Sequence, residues 1–379
     1  MTTSTLALKH LVLLGAGHAH VQVLHGLAHS RPADLMVTVV APYPRQMYSG
    51  MVPGFVAGHY ALDDCAIALP RLLERAGARF VQAHAVGLDT DNRTVFLDDD
   101  STLDFEWLSI NTGPVLDRTW LDRHLPGATE HALLVRPIER FAMLWPRVVE
   151  LAGERPLHVA VVGGGAAGIE LSMAMNHALT GPGTMPQSHV TLVCGPDEPG
   201  AAYPEAVRRR IARALKSHGI TVLRDSCTGF AAGEVLLAGG ARLHCDAPVL
   251  AIGAQAPGWL ADSGLALDAQ GFVAVNACQQ STSHANVFAA GDVASRVDRP
   301  HPRSGVYAVR AGPPLLANLR ATAAGQALTP YRPQTRTLNL LSCGARTAIG
   351  AWGPLSFEGG WVWRWKDRID RRFMRTYSS

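Results

Sequence analysis

Two glycine-rich turns, each set between an apolar strand and a helix, constrain this 379-residue chain more than any other feature. The first is LVLLGAGHAH, with Gly15 and Gly17; the second is HVAVVGGGAAGIE, with Gly163, Gly165 and Gly168. In such a turn one glycine permits the tight bend and a second lets the backbone approach a pyrophosphate. A third lets the helix pack against the strand. The helix N-terminus then offers unpaired N–H groups and the positive end of its dipole to the phosphates. A lone copy is weak grounds for a nucleotide site. Here a third signature, NVFAAGDVA, ends a strand at Gly291 and Asp292. Two turns in series followed by such a strand specify a chain that holds two dinucleotides, the arrangement that brings nicotinamide against flavin.

The two turns are unequal. The second is complete, whereas His20 stands at the third glycine position of the first. A histidine there either pushes the helix outward or turns into the site. Asp292 is expected to start a helix, where Asp caps well, and to accept hydrogen bonds from a cofactor's sugar hydroxyls. A dinucleotide fingerprint also carries Asp or Glu after its second strand, for the adenosine ribose. Both copies lack it, since Ala41 and Cys194 end those strands. Tyr43 and Arg45 are the candidate substitutes in the first site, and Asp197 or Glu198 in the second. No arginine for a 2′-phosphate stands out, so NADH and NADPH both remain open.

The predicted fold class is α/β. Two Rossmann-like dinucleotide-binding domains are expected, the second inserted in the first, with a small C-terminal region. The expected limits are 1–132 with 255–330, 133–254, and 331–379. Strand–glycine–helix–strand occurs in both halves, and each half later has a strand ending in glycine (INTG, LAIG). A helix is predicted over 63–76, and RFVQAHAVGLD and RTVFLDD read as antiparallel strands. Residues 304–324 read as a helix that Pro313 and Pro314 break or kink.

Composition excludes several other classes. A net charge of +3 is too small to argue for a nucleic-acid partner. The cysteines (Cys65, Cys194, Cys227, Cys245, Cys278, Cys343) are scattered singly, with no CxxC pair. Neither a metal site nor a local redox disulfide is expected, and reduced cytosolic thiols are the favoured reading. The opening MTTSTLALKH is too short and polar for a signal peptide. No apolar run reaches the ~18 residues of a transmembrane helix. The expected location is cytoplasmic, with the inner face of the membrane as a peripheral site. A homodimer is compatible with this reading.

The order GxGxxx, strand-Thr-Gly (Thr112, Gly113), GGGxxGIE, AIG and AAGDVA resembles the two-dinucleotide-domain flavoprotein superfamily. Within it the chain resembles type II NADH dehydrogenases and sulfide:quinone oxidoreductases. LVLLGAGHAH, YSGMVPGFVAGHY, RSGVYAVRAGP and WVWRWKDRIDRRFMR resemble the branch that is fused in some proteins to selenide, water dikinase. With no kinase segment after Ser379, a stand-alone member is expected. The resemblance implies an FAD cofactor, NAD(P)H as co-substrate, and electron transfer to a quinone-like acceptor. Oxidation of sulfide, selenide or a related small donor is the alternative enzyme. A flavin-bound redox sensor or docking protein is the alternative outside catalysis.

The resemblance also assigns residues. Gly15, Gly17 and His18 match the pyrophosphate loop, and Asp292 the residue that binds the flavin's ribityl chain or phosphate. Ser304, Gly305, Val306 and Tyr307 match a helix start beside the pyrimidine edge of the flavin. The segment from Tyr48 to Pro53 matches one passing close to the flavin ring. Glu170 matches a glutamate held near the nicotinamide; read alone, it is a carboxylate favoured by its helix dipole. His18, His20 and His59 suit proton donation to a reduced acceptor, with His59 and His20 the preferred two. Thiol chemistry is not favoured, because no cysteine follows Gly17 in the first helix.

In the tail, Trp361, Trp365, Ile369, Phe373 and Tyr377 recur at every fourth position, a helical stripe. The other side carries Arg364, Lys366, Arg368, Arg371, Arg372 and Arg375 against Asp367 and Asp370. Such a helix suits a lipid surface or packing on the core. The resemblance to type II dehydrogenases, which reach quinone through their C-terminal region, favours the membrane.

Overall fold

The computed structural model describes residues 9–185 and 187–378. The first eight residues, where no signal peptide is expected, lie outside the described residues. The apolar run before Gly15 forms a central strand, Lys9–Leu14, flanked in parallel by Leu35–Val40 and Trp107–Ile110. Arg79–Val81 extends one edge and Val287–Ala289 the other. The central strand is sealed on both faces, as parallel sheets require, with Leu11, Val12, Leu13 and Leu14 all buried. A second parallel sheet centres on His158–Val162, between His189–Val193 and Ala247–Leu250, with Thr221–Leu223 and Leu133–Leu134 at its edges. Its strands all fall between residues 133 and 250, after which Val287–Ala289 returns to the first sheet. The second Rossmann-like lobe is thus inserted in the first. A smaller C-terminal α/β region follows, built from the antiparallel strands Leu338–Ser342, Ala348–Trp352 and Leu355–Gly359 and the helix Gly360–Ser378.

The internal repeat extends further than the glycine motifs. Each lobe inserts a three-stranded antiparallel ribbon before its glycine-ended strand, at 85–104 and at 227–244. Local readings differ from the structure at several points. Arg79–Val81 joins the parallel sheet, and the antiparallel pairing begins at Ala85–Asp89. The 63–76 segment is a turn at Asp63–Cys65, a short strand at Ala66–Ala68 and a helix at Leu69–Ala76. Pro70, in the first turn of that helix, sets its start. Asp292 starts no α-helix and lies inside one 3-10 turn, Gly291–Val293, which runs into the strand Ala294–Arg296. The following α-helix starts only at Gly305.

That helix, Gly305–Ala323, continues through Pro313 and Pro314. A proline at 313 supplies no N–H for the carbonyl of Val309. The first helix, His18–His29, lies alongside and fills the gap: Gln22 Nε2 donates to Val309 O at 2.5 Å. Gly312 makes room, since a Cβ there would lie 2.6–2.8 Å from the Gln22 side chain. Replacing the amide leaves that carbonyl unsatisfied. We expect Gln22→Leu to lose about 1–3 kcal/mol in urea unfolding. An unchanged midpoint would show that the carbonyl is satisfied elsewhere.

Candidate functional site

The first glycine turn and the Gly291–Asp292 turn meet at one side chain that the sequence does not single out. Asn111 follows Trp107–Ile110 and is 3% exposed. Its Oδ1 accepts the backbone N–H groups of Ala19 and His20, both at 3.1 Å. Its Nδ2 donates to Ala290 O at 2.6 Å, and its carbonyl accepts the N–H of Gly17 at 3.2 Å. Added Cβ atoms at Gly15 and Gly17 would lie about 2.5 Å from Asn111 or Thr112, and one at Gly291 2.6 Å from Asn111 Nδ2. These glycines are therefore required by the packing around Asn111, apart from any ligand. The only available signal was its place in INTG, one residue before Thr112.

His20 neither displaces the helix nor turns into the cleft. It is fully buried, with Nδ1 2.5 Å from Gly15 O and Nε2 2.8 Å from Ser109 Oγ. Burial pushes it down to about 4, so it stays neutral. In the second lobe the equivalent position is Gly168, where a Cβ would clash with Gly163 O. The first lobe thus fills with an imidazole bridge the space that the second closes by backbone packing. Gly163 adopts φ +139 against Ala251 O, whereas at Gly165 a Cβ would meet nothing. That open side is the room a pyrophosphate needs.

Around the first loop the polar groups suit a dinucleotide with flavin. Gly113, at φ +71, also faces open space. Thr112 is half-buried beside it, its hydroxyl donating to Gly113 O at 3.3 Å. Asp292 is half-buried and hydrogen-bonded to no described residue. Burial pushes its carboxyl up, while Arg136, Arg303 and His301 pull it down. Arg136 is a second residue missed from sequence; its charge bears on His18, Glu139 and Asp292. It makes no hydrogen bond or ion pair to a described residue and is available to a phosphate. His18 is pushed down to about 4 by burial and by Arg136, so it too is neutral. It packs edge-on against Tyr48, centroids 5.3 Å apart. Tyr43 and Arg45 both feel the charge of Glu139, which accepts Met47 N at 3.1 Å. Ser304 precedes the 305–323 helix, with Gly305 and Val306 half-buried at its start. Tyr307 stacks on His301 at 4.1 Å. Pro53 is buried in the first turn of the helix Val52–Val56.

The tail helix sorts its residues differently from the stripe read in sequence. Val362, Lys366, Asp370 and Met374 face inward, while Trp361, Trp365 and Ile369 are exposed. Phe373 and Tyr377 pack on the first lobe, Phe373 stacked on Tyr48 at 4.5 Å. Lys366 Nζ donates to Asp370 Oδ2 at 2.6 Å and to Gly50 O at 2.5 Å. Tyr48 Oη donates to Asp370 Oδ1 at 3.2 Å. Burial pushes the Asp370 carboxyl up and Lys366 pulls it down. Glu170 reaches the same region from the second lobe. Its Oε1 accepts the N–H of Ser342 at 2.7 Å, and Lys366 and Asp370 both act on its charge. Burial pushes Glu170 up to about 7.

His59 is spent at the joint with the C-terminal region. Its Nε2 lies 2.7 Å from Gly344 O, and its ring is edge-on to Trp363. All six cysteines are free. Burial, then the charge of Glu170, pushes Cys343 up to about 12, and Cys194 is also raised by burial. Neither is a ready thiolate. Among the described residues no cluster could hold a metal, and no helix is long and apolar enough to cross a membrane.

Residues 9–312, covering both glycine loops and the Gly291–Asp292 turn, match the family model "Pyridine nucleotide-disulphide oxidoreductase". The chain belongs to this family. Family membership carries FAD and NAD(P)H use and oxidoreductase activity. The chain is similar to the NADH dehydrogenase-like protein YutJ of Bacillus subtilis, 21% identical over 95% of this chain and 99% of that protein. The fold is similar to the sulfide:quinone oxidoreductase of Aquifex aeolicus, with a TM-score of 0.79 and 18% identity over 98% of this chain and 91% of that one. It is also similar to NDH2 of Plasmodium falciparum in complex with NADH, with a TM-score of 0.77 and 11% identity over 98% and 99%.

Two outcomes follow for this family member. Asn111→Ala strands two buried N–H groups and should cost at least about 2 kcal/mol on denaturant unfolding, with reduced flavin content. Retained stability would remove Asn111 from its central place. Glu170 has a folded pKa above its ordinary value, so the folded state binds its proton more tightly. Its contribution to stability is full below about 4.5 and is lost as pH rises to about 7. Glu170→Gln should therefore flatten the fall in stability across that window, read by thermal melts at several pH values. An unchanged slope would contradict the assignment.

Proposed function

We propose that this chain takes electrons from a reduced nicotinamide dinucleotide at the second lobe and delivers them through FAD at the first to a quinone-like acceptor. The observation that carries this reading is the convergence of both lobes on one buried cluster. Tyr48 of the first lobe bonds Asp370, and Glu170 of the second feels Lys366 and Asp370. The two glycine loops thus serve neighbouring interiors that share a wall. Bound flavin supplies the two-electron chemistry, and the protein supplies placement and electrostatics. Ala16, His18, Arg136 and Asp292 are the groups left to hold it. Gly17, Ala19 and His20 have already given their N–H groups to Asn111. The Lys366–Asp370 ion pair lies against the Tyr48 segment, with Lys366 donating to Gly50 O and Tyr48 to Asp370. His20 and His59 have committed nitrogens and are left out of proton transfer in this reading. The raised thiols of Cys194 and Cys343 weigh against persulfide chemistry. The names carried by YutJ and NDH2 support a nicotinamide donor, and that of the Aquifex enzyme a quinone acceptor.

The outer face of the tail supports a lipophilic acceptor. Trp352, Leu355, Trp361, Trp365 and Ile369 are all exposed, with Arg364, Arg368 and Arg372 beside them. Aromatic and cationic groups on one face suit an anionic lipid surface, each basic group adding about 1 kcal/mol there. The purified protein should be yellow, should reduce a short-chain quinone at the expense of NAD(P)H, and should float with anionic vesicles. Trp361→Ser with Trp365→Ser should abolish flotation and leave soluble-quinone turnover intact. A colourless protein, or one that turns over no quinone, would contradict the proposal.

A further inference from the structure

We infer that the second glycine loop selects a 2′-phosphorylated nicotinamide dinucleotide, gripped at that phosphate by Arg224 and Arg208. The inference rests on the nicotinamide-donor reading above and says which donor is used. A dinucleotide fold that takes the unphosphorylated cofactor ends its second strand with a carboxylate for the ribose 2′-hydroxyl, and an arginine nearby accommodates a 2′-phosphate instead. Here Cys194 follows the second strand, His189–Val193. Its Sγ lies 3.3 Å from Asp197 O and 3.4 Å from Leu223 O, so it turns into the loop and sheet. Gly195, at φ +77, adds no side chain, and a Cβ there would meet nothing within 4 Å. The position is open and has no acceptor of its own.

Cations flank this opening. Arg224 follows the third strand, Thr221–Leu223, which runs parallel to the second with Leu223 opposite Val193. That register sets Arg224 beside Cys194, where its charge acts on the thiol. Its Nε and Nη2 donate to Pro196 O at 3.3 and 3.2 Å, which fixes the guanidinium on the loop and leaves Nη1 uncommitted. Arg208, on the helix Glu205–Ser217, reaches the same loop; its Nη1 is 3.8 Å from Glu198 Oε2. Its Nε is buried with no hydrogen-bond partner. Forked guanidinium donors with unused N–H groups match phosphate oxygens. The nearby carboxylates are mostly engaged. Asp225 accepts the N–H groups of Ser226 and Gly239, and Glu198 is drawn to Arg208. Asp197 is exposed on the same loop and is the group a 2′-hydroxyl would have to use.

Titration of the flavin-loaded protein with NADP⁺ and NAD⁺, followed by tryptophan fluorescence, tests the inference. NADP⁺ should bind at least about tenfold more tightly, with 2′,5′-ADP outcompeting 5′-AMP by a similar factor. Arg224→Ala and Arg208→Ala should each bring NADP⁺ towards the NAD⁺ affinity, leaving NAD⁺ binding and flavin content unchanged. Arg224→Lys, which keeps the charge without the fork, should retain part of the preference. NAD⁺ binding as tightly as NADP⁺, or variants that weaken both equally, would overturn the inference. If NADH alone binds and bleaches the flavin, the inference fails and the donor reading stands. If neither nucleotide binds, both fail.

Discussion

The hydrogen bonds of Asn111 hold together the parts of the chain on which everything else is built. One amide accepts two N–H groups from the first helix and donates to the residue before Gly291, while its backbone accepts Gly17. Three motifs spread along the first lobe thus meet at one buried point. Their glycines are needed because Gly15, Gly17 and Gly291 approach Asn111 or its neighbour more closely than any Cβ allows. The arrangement also decides what remains for a ligand. The N–H groups of Ala19 and His20 are consumed internally, which leaves Arg136 and the rest of the loop backbone as uncommitted donors.

The C-terminal helix presents two unlike faces. Its inner row puts a lysine and an aspartate into the protein, where they bond to each other, to Tyr48 and to the backbone of Gly50. A buried pair of this kind is costly to break on one side, by about 3–5 kcal/mol, because the remaining charge is left unpaired. The bonds of this pair to Tyr48 and Gly50 tie the helix to the first lobe. Its outer row is left free to meet a surface, so core packing and interfacial docking are compatible in one element.

The two lobes and the nested order were legible because glycine turns and apolar strands are local signals. The long-range contacts were not. Asn111 looked like an ordinary residue in INTG, since its four partners lie far from it in sequence. His20 was visible as an anomaly, but only the burial of Ser109 beneath the loop shows what the ring bridges. Pro313 and Pro314 predict a break or kink because the rescuing amide, Gln22, sits on another helix. The four-residue pattern of the tail puts its aromatics on one side and its charges on the other. The helix instead turns Lys366 and Asp370 inward, because polar partners at Gly50 and Tyr48 await them. Arg224 carries no local signal, because only sheet register brings it beside Cys194.

In the proposed function, a nicotinamide at the second lobe transfers its hydrogen directly to flavin at the first. Anaerobic single-turnover mixing with NAD(P)H deuterated at either face of C4, beside sulfide and selenide, tests it most directly. Bleaching of the flavin with a primary isotope effect for one of the two deuterated faces is the predicted result. Bleaching by sulfide or selenide with none by either nucleotide would contradict it.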